Sequence, residues 1–291
     1  MNILLGHPNR IDGAALSGGS WSAGLPLANL KTRLLSKVAR SVDTDPSSTT
    51  MTIDFGQPRR LRVLALVAHN IGLQARVRFE ASEAADFSSH LYDLETDVWT
   101  GLLTAEWDLD ALEWESDNFW LGTYSTEDIQ GLTAVSTHVM EDAVAARYWR
   151  ISIVDPLNDD GFVQIGRLFM GPTIQPRINY SWGAGLGYED PTAVEMALGG
   201  AEFFDIREPV RVFRFTLEYM RDDEAFGKIL EMVRRAGVHG EIFVIPDPAD
   251  TFNGLRRNFM GRIRQPSALE QVTWANGGSA HAMAFEIKEL R

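Results

Sequence analysis

The chain contains no cysteine, which excludes a disulfide framework, a thiolate metal site and a cysteine nucleophile. No apolar run approaches the roughly 18 to 20 residues that a membrane-spanning helix needs, so no span is expected. The opening MNILLGHPNR has only a three-residue apolar stretch before Gly6, far short of the apolar core of a secretory leader. The expectation is therefore a protein made in the cytoplasm and stabilised by its core alone. Basic residues are also scarce, 27 Lys and Arg against 40 Asp and Glu, for a formal charge of −13. Direct nucleic-acid binding is not expected, because phosphate contacts need clustered basic side chains. What is present is an ordinary globular composition, 45% hydrophobic over 291 residues, a length that suggests two domains.

The acidity is local. Between Arg78 and Arg147 there is neither Lys nor Arg, while residues 79–146 hold 16 of the 40 acidic residues. The rest of the chain, with 27 basic and the other 24 acidic residues, has a net charge of +3. The same acidic segment holds Trp99, Trp107, Trp114 and Trp120, half of the eight tryptophans. These indoles could face a core while the carboxylates face water on alternating strands. Alternatively Trp99, Trp107, Trp114 and Trp120 form an exposed aromatic surface that stacks on sugar rings or anchors a partner. Both readings stay open at this point.

Short alternating runs dominate the first 170 residues. Met51, Ile53 and Phe55 alternate with polar neighbours, as do Val77, Phe79 and Ala81; residues 61–70 are apolar on both faces. Residues 148–155 and 162–171 complete a set that predicts an antiparallel sandwich, with a short helix over 28–38. Pro172 and Pro176 interrupt pairing and suggest a boundary, giving domains 1–172 and 173–291. In the second, Phe213, Phe215, Leu217 and Tyr219 share one strand face. A helix is predicted over 223–236, N-capped by Asp222 and ended by Gly237, with Phe226, Ile229, Leu230 and Val233 as its buried stripe. Strands follow over 241–247, 258–264 and 281–290, making an α+β unit.

Chemistry is hard to find. The histidines at 7, 69, 90, 138, 239 and 281 show no metal-ligand spacing, and there is no G-x-S-x-G elbow. WGAGLGYED, 182–190, lacks the Lys-Ser or Lys-Thr of a phosphate loop and is read as a flexible loop. The carboxylates from Glu106 to Asp117 could hide a glycosidase pair, although a run so dense is more simply a solvated rim. Asp108, Asp110, Asp159 and Asp160 are oxygen donors of the kind Ca²⁺ accepts, without the fixed spacing of an EF-hand. No catalytic residue, cofactor or metal is assigned.

Two resemblances are visible in the residues. NLKTRLLSKVARS, TMTIDFGQPRRLRVLALVAHNIGLQARVRFEAS and ARYWRISIVDPLNDDGFVQIGRLFMGP resemble, in order, a discoidin-type galactose-binding jelly roll over about residues 28–172. The second stretch, VRVFRFTLEYM, DDEAFGKILEMVRRAG, EIFVIPDP, RRNFMGRIRQP and HAMAFEIKEL, resembles the ring-forming tube or hub domain of phage tail proteins. Together they resemble the distal tail proteins of long-tailed phages and prophages. That resemblance implies a mainly β protein, with a jelly-roll sandwich followed by a tail-tube-like sheet domain with one helix. It further implies a non-enzymatic virion component at the tail tip, forming a homo-oligomeric, six-fold ring. Its partners would be the tail tube, hub and tape measure, with a cell-surface glycan as a further partner. The alternatives are a carbohydrate-binding module and, behind it, a glycoside-active enzyme.

Overall fold

The computed structural model describes residues 2–99, 129, 131–250, 253–265, 267–275 and 278–291. The fold is mainly β, with sheets and short helical segments. Two compact units are present: residues 6–173 with 247–258, and residues 2–5 with 174–246 and 259–291. The chain therefore passes between units four times, where a contiguous two-domain reading has a single passage. Segments 2–5 and 247–258 are too short for composition to reveal which core they join.

The first unit is a sandwich built on two long strands, Met51–His69 and Val135–Val154. At one end Met51–Asp54 lies between Ala15–Ser17 and residues 148–151, and the sheet continues through Arg76–Ser82 to Tyr92–Asp97. At the other end residues 63–69 of the same strand pair with Gln164–Gly171, which in turn pairs Ala39–Arg40. Register shifts between Asp54 and Arg59, and between Leu61 and Val63, separate the two regimes. Such bulges let one strand turn a corner and serve two sheets. A single core collects Ile53, Phe79, Trp149 and Ile151 from the first group and Leu64, Leu66, Leu168 and Met170 from the second. The alternation of Met51, Ile53 and Phe55 is realised, all three being buried. The helix expected over 28–38 is instead a 3₁₀ turn, Leu27–Lys31. Leu27 and Leu30 are its buried pair, and three-residue spacing eclipses on a 3₁₀ turn rather than on an α-helix.

In the second unit the sheet runs Gly185–Glu189, Val210–Met220, Gly278–Glu289, Phe259–Ile263, Ile242–Ile245, Leu4–Gly6 and Thr173–Ile174, with Glu270–Ala275 also paired to Gly278–Glu289. Residues 182–190, read from sequence as a loop, thus include a strand: Gly185–Glu189 pairs in register with Val210–Arg214. Phe213, Phe215 and Leu217 are buried as expected, but Tyr219 is exposed with φ +56°. The register slips between Leu217 and Met220, and Met220 takes the inward place.

The helix spans Asp222–Glu224, Ala225–Leu230 and Glu231–Ala236, the middle segment being a π-turn. The wider turn shifts the buried stripe to Ala225, Ile229, Met232, Val233 and Ala236, and Phe226 faces solvent. Gly237 ends the helix with φ +55°, its N–H donating to the Val233 carbonyl at 2.8 Å. The helix stripe and the inward sheet face form one core with Ile3 and Leu5.

Candidate functional site

Within the described part of the acidic segment, Glu80, Asp93, Glu95 and Asp97 are paired with arginines from outside it. Strand Arg76–Ser82 alternates Arg76, Arg78 and Glu80 on one face, and register sets them beside Asp97, Glu95 and Asp93 on one side and, for Glu80, Arg150 on the other. Arg78 binds Asp93 through two hydrogen bonds of 2.8 and 2.7 Å. Arg150 binds Glu80 likewise at 2.6 and 2.7 Å, with its guanidinium 4.3 Å above the Phe87 ring. Arg76 reaches Glu95 at 2.9 Å. The hydrogen bonds from Arg150 hold buried Glu80 below its usual range, and those from Arg78 do the same for Asp93. Fork-to-carboxylate pairing of this kind fixes geometry as well as charge.

His90 lies 3.8 Å from Glu80, and donor atoms of Glu80, His90 and Asp93 fall within 4.8 Å of one another. Two guanidiniums already occupy those carboxylates, so a cation would have to displace them. Asp159 and Asp160 lie in an exposed loop, where Asp160 accepts from Asn70 at 2.7 Å; Asp108 and Asp110 lie outside the described residues.

Of the four tryptophans proposed to stack on sugars, Trp99 is a core residue with 6% of its surface exposed. Its Nε1–H donates to the Ile71 carbonyl at 3.0 Å, and its ring packs edge-on to His69. Its face is thus covered rather than offered to a ligand. Trp107, Trp114 and Trp120, and the carboxylates from Glu106 to Asp117, lie outside the described residues.

In the second unit Ser279, His281 and Asp222 meet, a trio of the residue types used in nucleophilic catalysis. Ser279 Oγ–H donates to Asp222 Oδ1 at 2.5 Å, and His281 Nε2 contacts the same oxygen at 2.7 Å. A relay needs the acid on one ring nitrogen and the hydroxyl on the other. Here Asp222 and Ser279 both meet the same ring nitrogen, His281 Nε2, and each other, so the trio ties the start of the helix to the sheet.

The feature that stands out in this unit is an exposed arm. Beyond the Glu189–Val210 pair the two strands continue as a separate hairpin, Ala193–Met196 against Glu202–Asp205. Thr192 and Arg207 bridge the gap, the Thr192 Oγ1 accepting from the Arg207 N–H at 3.1 Å. Every residue of both hairpin strands is exposed. Val194, Met196 and Phe204 project on one face and Phe203 on the other, with Leu198 at the tip and Ile206 at the base.

Where the arm's parent strands lie in the main sheet, Trp182, Ala184, Arg214, Thr216, Gln265, Ser267, Ala284 and Glu286 line an open groove of about 550 Å³. Trp182 is fully exposed. Sequence reasoning missed both features, although Gly199-Gly200 between two short runs with apolar residues is a hairpin signal.

The geometry therefore defines a β-sandwich unit with an ion-paired sheet face, and a β-sheet unit with an apolar arm and a groove. No model of a known protein family matches the sequence, and a search of curated proteins gives no match. Among solved structures, the chain is similar to the family 32 carbohydrate-binding module of Clostridium perfringens NanJ in complex with galactose. Identity is 14% and the TM-score 0.35, over 57% of this chain and 98% of that one. The lectin-binding domain of lectinolysin complexed with Lewis b gives 11% identity and a TM-score of 0.37, over 58% and 98%. Two larger proteins are matched over a minor part of their length: SpGH29 at 14% identity and TM-score 0.36, over 57% of this chain and 28% of that one, and a family 89 glycoside hydrolase of C. perfringens at 13% and 0.38, over 60% and 16%.

Proposed function

We propose that this chain is a non-catalytic assembly protein whose second unit joins copies of itself, with the first unit carried as a binding module. The observation that supports this reading is the arm. A two-stranded hairpin alone is at best marginally stable in water, and this one exposes Val194, Met196, Leu198, Phe203, Phe204 and Ile206. Exposed apolar patches of this kind mark interaction sites, and open strand edges invite pairing between chains. In its finer form the reading is a ring at the tip or baseplate of a phage or prophage tail, which the sequence resemblance of residues 210–290 suggests. Mass photometry across a concentration series tests it. Discrete higher-order species of one defined stoichiometry are expected, and a chain that stays monomeric at every concentration overturns the reading.

A second reading, glycan docking, belongs to the first unit. What favours it is the cross-strand face of Arg78, Asp93, Glu95 and His90, where planar, partly exposed polar groups sit side by side. Paired donors and acceptors of that geometry suit vicinal sugar hydroxyls. The sugars named for the similar solved modules, galactose and Lewis b, are the first probes for a titration. Binding that is lost in Asp93→Ala with an unchanged melting temperature supports this reading. Binding that survives in that variant moves the site elsewhere, and no binding to a glycan array removes it.

A further inference from the structure

The arm cannot serve its own groove. Arg214, on the groove, pairs with Gly185, whereas the arm begins beyond Glu189 and Val210 at the other end of the same two strands. At about 3.3 Å per residue, the nine residues from Glu189 to Leu198 span roughly 30 Å, and they lead away from Trp182. Full exposure of both hairpin strands shows that the arm does not fold back. Groove and arm are thus separate, unfilled surfaces of one unit, facing different ways along one pair of strands.

Their chemistry matches. The groove is walled by Trp182 and Arg214, residue types that dominate binding energy at protein interfaces. Arg214 keeps 67% of its side chain exposed despite its contact with Glu286, and beside it Arg264 and Lys288 share Glu189 and Glu286, three cations to two carboxylates. Ala184, Ala268 and Ala284 leave room over its floor. Residues 190–207 of the arm carry Asp190, Glu195, Glu202 and Asp205 against one basic residue, Arg207, which is paired to Asp205, so the arm is net acidic, with Glu202 on the apolar face of Val194, Met196 and Phe204. A net acidic arm with an apolar face thus meets an aromatic wall whose edge has a small excess of positive charge, a complementarity of the kind found at protein interfaces.

We infer that the arm of one copy docks in the Trp182–Arg214 groove of the next, a head-to-tail contact between two different surfaces. Such contacts close into rings when the rotation between copies allows it and otherwise propagate as filaments, unlike the self-complementary patch of a two-fold dimer. This inference rests on the self-association proposed above and gives it a direction.

Complementation tests it in the full-length chain. Phe204→Glu spoils the arm and leaves the groove; Trp182→Ala with Arg214→Glu spoils the groove and leaves the arm. All three residues are exposed, and matching thermal melts check that each variant is folded. Alone, each variant should need about 30-fold more protein to assemble than the wild type, the factor equivalent to about 2 kcal/mol at a hot spot. Mixed in equal amounts they should form a species of two chains and stop there, because one intact arm and one intact groove make a single junction. A wild type that assembles while the mixture does not pair, or while either variant assembles as the wild type does, overturns the arm-in-groove contact and spares self-association. A wild type that never assembles overturns both. The absence of native cysteine allows a second readout: Met196→Cys with Ser267→Cys should give an oxidative ladder of chains. Dimers from Met196→Cys alone that do not extend in the double variant would instead show arm-to-arm pairing.

Discussion

Arg211 and Glu289 form a bidentate pair across neighbouring strands, both side chains being essentially sealed from solvent. The Arg211 backbone N–H and Nε–H each donate to Glu289 Oε2 at 2.9 Å, while a second guanidinium nitrogen meets the other oxygen. The pair sits one residue beyond the Val212–Lys288 register partners. It thereby fixes the end of the strand from which the arm emerges.

Breaking this pair one-sidedly should be costly. Glu289→Ala leaves a buried guanidinium without its counter-charge, a change that destabilises by about 3–5 kcal/mol. Replacing both, as Arg211→Met with Glu289→Leu, should recover most of that loss, since apolar isosteres carry no desolvation penalty. Urea unfolding of the wild type, both singles and the double measures the coupling. Equal losses in the double and in the sum of the singles would show that the pair contributes no specific interaction.

The first unit should weaken in mild acid because of His69. Burial pushes its imidazole down to about 3, and its Nδ1 faces the Ile71 N–H at 3.3 Å. The unfolded chain takes up a proton near 6.5 while the folded one stays neutral. Stability present above about 6.5 is therefore lost progressively as pH falls toward 3. Burial moves His138 in the same direction. Carboxylates held low by their arginines, such as Asp54 by Arg147, add their loss only below their own unfolded values, near 4. In His69→Phe the slope of stability between pH 6.5 and 5 should flatten, and an unchanged slope there would assign the acid sensitivity to other groups.

Gly166 should tolerate no side chain. A Cβ there would lie 2.6 Å from the Leu35 carbonyl oxygen and 2.9 Å from the Ala68 Cβ. Overpacking against backbone costs about 1–3 kcal/mol, so Gly166→Ala should lower the unfolding midpoint clearly. Gly13, in the same unit, has nothing within 4 Å of its would-be Cβ, and Gly13→Ala should stay within about 0.5 kcal/mol of the wild type. Comparable losses in the two variants would show that close approach is not the cause.

Much of the sandwich was legible because burial on one face writes a period of two into Met51, Ile53 and Phe55 and into Val77, Phe79 and Ala81. The continuity of Met51–His69 was not, since the excursion at 55–58 looks like a turn when bulges are invisible. Tyr219 and Phe226 were placed inward for a related reason: a register slip and a π-turn each insert one residue, and a strict period cannot show an insertion. Trp99 could not be sided, because an indole in an acidic run fits a core as well as a surface. The apolar side chains of Val194, Met196, Phe203 and Phe204 were plainly there, but whether such a hairpin folds inward or stands free is a tertiary fact.

The four passages of the chain between units have a consequence for synthesis. The strand Leu4–Gly6 lies between Ile242–Ile245 and Thr173–Ile174 in its sheet, so it must wait for a partner translated more than two hundred residues later. The first unit waits as well, because Leu255 belongs to its core. Neither unit is a finished vectorial product that leaves the ribosome before the other, and pairings this distant in sequence form slowly. Maturation should thus be a late, coupled event, leaving nascent chains dependent on protection until residues 242–289 have emerged.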